Sequence, residues 1–175
     1  MEALTSMLEQ FVRDVPDFPR KGIVFKDVTP LLADPGALAM AVELMANPWR
    51  GARIDAVVGA ESRGFIFGTA VAQALNTGFV PMRKPGKLPA ATFSIKYELE
   101  YGSDALHVHQ DALVAGARVL VVDDLLATGG TMRACIQLVR MTGALPVAAS
   151  VFIELPALGG RAALAPMPVH SVLRY

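Results

Sequence analysis

The chain has 175 residues, 53% of them hydrophobic and 18% charged, a balance that suits one compact α/β domain with a sizeable core and argues against a disordered chain. Lysine and arginine total 16 and aspartate and glutamate total 16, so no global charge favours a nucleic-acid partner or an acidic membrane. There is no long apolar span, residues 1–13 carry acids without a signal-peptide pattern, and the single Cys135 excludes an internal disulfide; these features predict a cytoplasmic protein with no membrane segment.

Leu4, Met7, Leu8, Phe11 and Val12 recur at helical spacing, which predicts an amphipathic helix ending before Pro16. Residues 16–22 read as an irregular loop, and Ile23-Val24-Phe25 as a short extended piece whose backbone is open to a ligand. On its own, Phe25 reads as core. Residues 35–45 read as a helix with Leu38, Val42 and Met45 inward, stopped by Asn47-Pro48, with Trp49 packing behind it.

Residues 54–58, Ile-Asp-Ala-Val-Val, predict a buried strand and residues 65–75 a helix, joined by Gly59-Ala60-Glu61-Ser62-Arg63-Gly64. That loop offers backbone amides, a hydroxyl and a guanidinium able to fork onto a phosphate or a purine edge. A helix cap at Glu61 or Ser62 is the competing reading. Residues 79–82 predict a third strand, followed by Arg83-Lys84-Pro85-Gly86-Lys87-Leu88-Pro89, a cationic loop. Such runs are usually solvated, but beside a phosphate site this one would close over a leaving group, offset its charge and exclude water. Leu106-His107-Val108-His109 alternates like a surface strand; its two histidines lack a third ligand nearby and carry no metal assignment.

The densest chemistry lies in residues 118–140, R-V-L-V-V-D-D-L-L-A-T-G-G-T-M-R-A-C-I-Q-L-V-R. Val119 to Val122 form a β-branched apolar run suited to a central parallel strand buried on both faces. Met132, Cys135, Ile136, Leu138 and Val139 then fall on one side of a helix, which makes Cys135 core rather than a nucleophile. Between strand and helix, Asp123 and Asp124 offer adjacent acceptors for a metal or for vicinal sugar hydroxyls, where ligands of open parallel sheets bind. Thr128, Gly129, Gly130 and Thr131 supply hydroxyls and bare backbone at a helix start, a cradle for a phosphate. Neither G-x-x-x-x-G-K-[ST] nor G-x-G-x-x-G occurs, so the ligand expected here is a phosphorylated sugar rather than a P-loop nucleotide or a dinucleotide. Residues 145–153 predict a further strand, 158–164 a short helix or turn, and 169–173 a last strand in which His170 is structural.

The segment V-V-D-D-L-L-A-T-G-G-T resembles the phosphoribosyl-pyrophosphate signature of type I phosphoribosyltransferases and is closest to the wording of the adenine-specific members. D-F-P-R-K-G-I-V-F-K-D, A-E-S-R-G-F-I-F-G and L-E-Y-G are similar to other motifs of the same family, so the likeness runs from Pro16 to Tyr175. The resemblance implies one domain over residues 1–175: a central, mostly parallel sheet flanked by helices, with a small hood or lid formed by the N-terminal segment (residues 1–33) and terminal strands. It implies transfer of the phosphoribosyl group of phosphoribosyl pyrophosphate to adenine, giving AMP and pyrophosphate in purine salvage. It assigns Asp123 and Asp124 to the ribose hydroxyls, and Leu125, Ala127, Thr128, Gly129, Gly130 and Thr131 to the 5′-phosphate turn. Glu61, Ser62 and Arg63 fall to the pyrophosphate loop, and Val24, Phe25 and Lys26 to the base pocket. Arg63, Arg83 and Lys87 would offset the leaving-group charge. Glu100 would be the acid/base partner of adenine, with Tyr101 packed over the site. Magnesium held mainly by substrate oxygens, with no protein metal ligand, and a homodimer complete the expectation. The alternatives are a phosphoribosyltransferase for guanine, hypoxanthine or xanthine, and a non-catalytic sensor of phosphoribosyl pyrophosphate.

Overall fold

The structure is a computed structural model that describes residues 2–98 and 103–175. Its centre is a five-stranded sheet in the order β4-β3-β7-β8-β9, built from β3 (Ala56–Ala60), β4 (Gly78–Met82), β7 (Arg118–Leu126), β8 (Leu145–Glu154) and β9 (Val169–Arg174). Every neighbouring pair in that sheet is parallel. Two antiparallel hairpins stand apart from it, β1 (Arg13–Pro16) with β2 (Val24–Asp27) and β5 (Thr92–Glu98) with β6 (Ser103–His109). The strand β9, expected in the hood, instead closes one edge of the main sheet through its ladder to β8; the β1–β2 hairpin carries no third strand among the described residues.

Period-two geometry sorts the apolar runs onto two faces. Val119 and Val121 of β7 and Val58 of β3 pack against Met132, Cys135, Leu138 and Val139 of α5 (Gly130–Met141), together with Leu106 and Val108 of β6. Leu120, Val122 and Val57 face the other way, against Phe67 and Val71 of α4 (Arg63–Ala74) and Ala41 and Met45 of α3 (Pro35–Ala46). On that face Phe67 and Phe152 stack with ring centroids 5.6 Å apart. Two covered faces explain why these strands read as unbroken hydrophobic runs. The Cys135 side chain lies inside the first cluster, and burial pushes its thiol well above the ordinary range, which fits packing rather than reactivity.

The amino-terminal helix α1 (Glu2–Glu9) stops earlier than the apolar spacing suggests, because Phe11 and Val12 enter the core from the turn leading into β1. A second short helix, α2 (Thr29–Ala33), precedes α3, and the Asp34 side chain between them accepts from the amide of Ala37 at 2.8 Å as an N-cap. After β8 a 3₁₀ turn over Pro156–Leu158 leads into α6 (Gly160–Leu164).

The chain runs outward from β3 to β4 at one edge and, from β7, outward through β8 to β9 at the other. The order therefore reverses between β3 and β7, with α4 and α5 on opposite faces. A crevice at such a reversal, beyond the carboxyl ends of the strands, is where this architecture places ligands.

Candidate functional site

The loops after β3 and β7 flank that crevice. A cavity of about 300 Å³ lies there, lined by Arg63 and the continuous run 123–132. Both acids lie within β7, which continues through Leu126, rather than beyond its end. The pleat separates them: Asp124 is 4% exposed, while Asp123 is half-buried with its Oδ1 accepting from the amide of Asp124 at 2.9 Å. Burial first, and the neighbouring Asp124 second, push the Asp123 carboxyl well above the usual carboxylate range. Asp124 Oδ2 lies 3.1 Å from Nε of Arg63, an ion pair without hydrogen-bond geometry, so this buried oxygen has no hydrogen-bond partner among the described residues. An unsatisfied buried carboxylate oxygen in a crevice calls for a ligand. Gly64 lets the two loops approach this closely, since a Cβ there would lie 2.9 Å from Asp123 Oδ1.

Beyond the acids, Gly129 takes a left-handed conformation (φ 85°) as the residue before α5, with Gly130 opening the helix. This turns the first amides of a twelve-residue helix towards the cavity without side chains in the way. Ala127, Thr128 and Thr131 sit around that opening, with Thr128 exposed, and Leu125 lines the approach. One neighbour escaped the sequence reading. Tyr97 of β5 reaches the Thr131 side chain with its hydroxyl, and burial raises its phenol above the ordinary value. Its partner is 34 positions away across the hairpin, so no local pattern could signal it.

The loop after β3 divides its labour. Arg63 begins α4, where its guanidinium reaches Asp124 and lies over the Phe25 ring at 5.1 Å. Ser62 makes no side-chain cap. Glu61 turns away from the helix start towards the cationic loop, accepting from the amide of Lys84 at 3.0 Å and from the Arg83 guanidinium at 3.3 Å for both of its carboxylate oxygens. Those bonds hold its pKa below the ordinary glutamate value. Arg83 is therefore already partnered within its own chain, and it also donates to the carbonyl of Lys87; Lys87 itself is exposed.

On the base side, Phe25 is half-buried between Arg63 and the edge of Phe18, 5.2 Å away. Val24 is exposed, and β2 has β1 on one edge and no strand on the other among the described residues. Lys26 points elsewhere, its ammonium 2.6 Å from Asp14 and 3.9 Å from the centre of the Tyr175 ring, so its side chain ties the hairpin to the chain's last residue. Any base contact from Lys26 must come from its backbone. His107 meets the Thr92 hydroxyl at 3.2 Å and His109 accepts from the amide of Ala90 at 3.4 Å. No group of three or more His, Cys, Asp or Glu able to hold a metal forms among the described residues. Glu100 and Tyr101 lie outside the described residues.

This crevice can bind one elongated anion. Acceptors face the middle, bare amides face one end, and an arginine with an aromatic ring faces the other. Comparison with known proteins is consistent with that layout. The profile of the phosphoribosyl transferase domain matches residues 29–162. The chain is similar to an adenine phosphoribosyltransferase of Rhodopirellula baltica, 58% identical over 168 residues covering 96% of this chain and 82% of that protein. Its fold is similar to the adenine phosphoribosyltransferase of Thermoanaerobacter pseudethanolicus, with a TM-score of 0.94 and 45% identity over 98% of this chain and 99% of the other. It is also similar to the Saccharomyces cerevisiae enzyme solved with adenine and an imino-altritol bisphosphate, with a TM-score of 0.92 and 38% identity over 99% and 100% of the two chains.

Proposed function

The chain belongs to the phosphoribosyl transferase family, and from that membership we propose a working site for purine salvage: it transfers the phosphoribosyl group of 5-phosphoribosyl 1-pyrophosphate to adenine, giving AMP and pyrophosphate. The observation that carries this reading is the buried, unsatisfied Asp124 oxygen set one short loop before the glycine turn of α5. That spacing suits ribose hydroxyls on the acids and a 5′-phosphate on the turn.

The roles follow from where charge develops. Cleavage of the anomeric carbon–oxygen bond leaves positive charge on the ribose and negative charge on departing pyrophosphate, so the site works by holding both ends in line. Asp123 and Asp124 take the ribose hydroxyls. Ala127 to Thr131 take the phosphate through amides and the Thr128 and Thr131 hydroxyls, with Leu125 shaping the floor. Ser62 and the backbone at Glu61 and Arg63 face pyrophosphate. Arg83, released from Glu61, and Lys87 supply cations over it. Arg63 and Phe25 hold the flat base against the backbone of Val24 and Lys26, with Tyr101 above. Adenine sheds its N9 proton as N9 bonds to the anomeric carbon, and Glu100 accepts it.

Asp123 and Asp124, with no third His, Cys, Asp or Glu gathered beside them among the described residues, would suit a magnesium ion that arrives on the substrate and is held mainly by substrate oxygens and waters. Such an ion offsets charge on the leaving pyrophosphate. We place the enzyme in the cytoplasm as a homodimer; no helix among the described residues is long and apolar enough to cross a membrane.

The test is one coupled assay offering adenine, guanine, hypoxanthine and xanthine in turn with phosphoribosyl pyrophosphate and magnesium. Turnover with adenine alone is expected, and turnover with another base but not adenine overturns the base assignment. For the proton acceptor, Glu100→Gln should slow single-turnover AMP formation by about 10²–10⁴-fold with little change in substrate binding. A variant within about threefold of the parent removes Glu100 from that role.

A further inference from the structure

Behind the phosphate turn lies a group of charges that the reaction does not use. Glu154 ends β8, is 2% exposed, and stands opposite Leu126, the residue before the A-T-G-G-T turn, in the β7–β8 ladder. Its carboxylate receives the Arg161 guanidinium on both oxygens, from Nε at 2.9 Å and from Nη2, and the Ser171 hydroxyl at 2.7 Å. Arg174 Nε stands 3.4 Å away. Arg161 also donates from Nη1 to the carbonyl of Val169 at 2.6 Å and from Nη2 to Ser171 at 3.2 Å.

Arg161 lies in the first turn of α6, a helix of only five residues without a side-chain cap. So short a helix does not hold itself in place. Yet its first turn is the wall of the phosphate turn. A side-chain carbon on Gly160 would collide with the carbonyl of Ala127 and lie 2.9 Å from Leu126, and one on Gly129 would lie 3.2 Å from the carbonyl of Gly160. Backbone therefore rests on backbone at this contact. The fork from Arg161 ties α6 to the end of β8, beside the anchorage that buried Leu164 gives at the helix's other end.

We propose that Glu154 and Arg161 are positioning residues for phosphate binding: their ion pair clamps α6 against residues 127–130 and so presets the shape of the turn that receives the 5′-phosphate. The inference rests on the phosphate assignment above and adds to it residues that touch no substrate. A turn with a loosened wall still exposes its amides but must be ordered by the ligand, which weakens phosphate binding and leaves the base end untouched.

The experiment compares parent, Glu154→Gln, Arg161→Ala, Arg161→Lys and the Glu154→Gln/Arg161→Ala pair. It measures ribose 5-phosphate dissociation constants by calorimetry and the KM for adenine at saturating phosphoribosyl pyrophosphate. Glu154→Gln and Arg161→Ala should each weaken ribose 5-phosphate binding about tenfold while the adenine KM stays within about twofold. Arg161→Lys, which keeps the charge and loses the fork, should fall between. The double variant should be no weaker than the worse single one, because both act through one contact. Parent-like binding in both single variants, or equal losses at the phosphate and base ends, overturns the clamp. Should Glu154→Gln not fold, the half-exposed Arg161 variants decide alone by the same criteria. A parent that fails to bind ribose 5-phosphate overturns the phosphate reading itself, an outcome distinct from variants that match a binding parent.

Discussion

Neighbouring strands of one sheet carry acids towards their carboxyl ends that are treated in opposite ways. At the end of β8, Glu154 is ringed by Arg161, Ser171 and Arg174, and hydrogen bonds led by Arg161 hold its pKa below the ordinary glutamate value. On β7, Asp123 accepts from the amide of Asp124, Asp124 faces Arg63 without a proper hydrogen bond, and the Asp123 carboxyl is raised by burial and by its neighbour. The contrast separates architecture from site. Where both oxygens of a buried acid are hydrogen-bonded internally, the group stabilises the fold. Where two acids are gathered and left short of donors, the missing donors belong to something that binds.

The largest effect that tests this contrast is on Asp124. Asp124→Asn should lower turnover by about 100-fold or more, through lost ribose positioning, while its melting temperature does not fall. A variant that melts well below the parent, yet turns over normally per folded molecule, would move Asp124 to the architectural side. Next comes stability at β8. Glu154→Gln should cost about 3 kcal/mol in denaturant unfolding, the lower end for a broken buried pair because Arg161 can regain water.

The pH dependence sharpens the same comparison because the two signs differ. The folded pKa of Glu154 is depressed, so its stabilisation is present above the unfolded glutamate value and is lost as pH falls through the folded one. Glu154→Gln should therefore flatten the acid side of the stability profile. The folded pKa of Asp123 is raised, so its destabilisation is present above that pKa and is relieved as pH falls towards the unfolded aspartate value. Asp123→Asn, the smallest effect, should gain about 1 kcal/mol at neutral pH, an advantage that shrinks on acidification. An advantage that grows on acidification would reverse the sign assigned to this carboxyl.

The site end of this contrast was legible in the sequence and the architectural end was not. Val119 to Val122, the acid pair and the T-G-G-T turn are contiguous, so strand, acceptors and cradle could be read in one window; the strand expected over 54–58 lies two residues later, at 56–60, so Gly59 and Ala60 belong to it and not to the loop. Strand order, and hence the reversal between β3 and β7, has no local signal. Glu154 closes a buried run and so reads as the place where a strand stops, while its partners lie 7, 17 and 20 positions onward without periodicity. Arg83 illustrates the opposite gap. Its charge was visible, but its engagement with Glu61, 22 residues earlier, depends on the β3–β4 pairing that brings the two loops together.

The contact of Gly160 with the 127–129 backbone also bears on how this enzyme can change. Because that wall is largely main chain against main chain, it leaves little room for a substitution to widen or narrow the proposed phosphate seat without moving α6. The base end is bounded by the side chains of Phe25, Phe18 and Arg63, each open to replacement one at a time. Variation and laboratory selection should therefore redirect the choice of base long before they alter the demand for a 5′-phosphate.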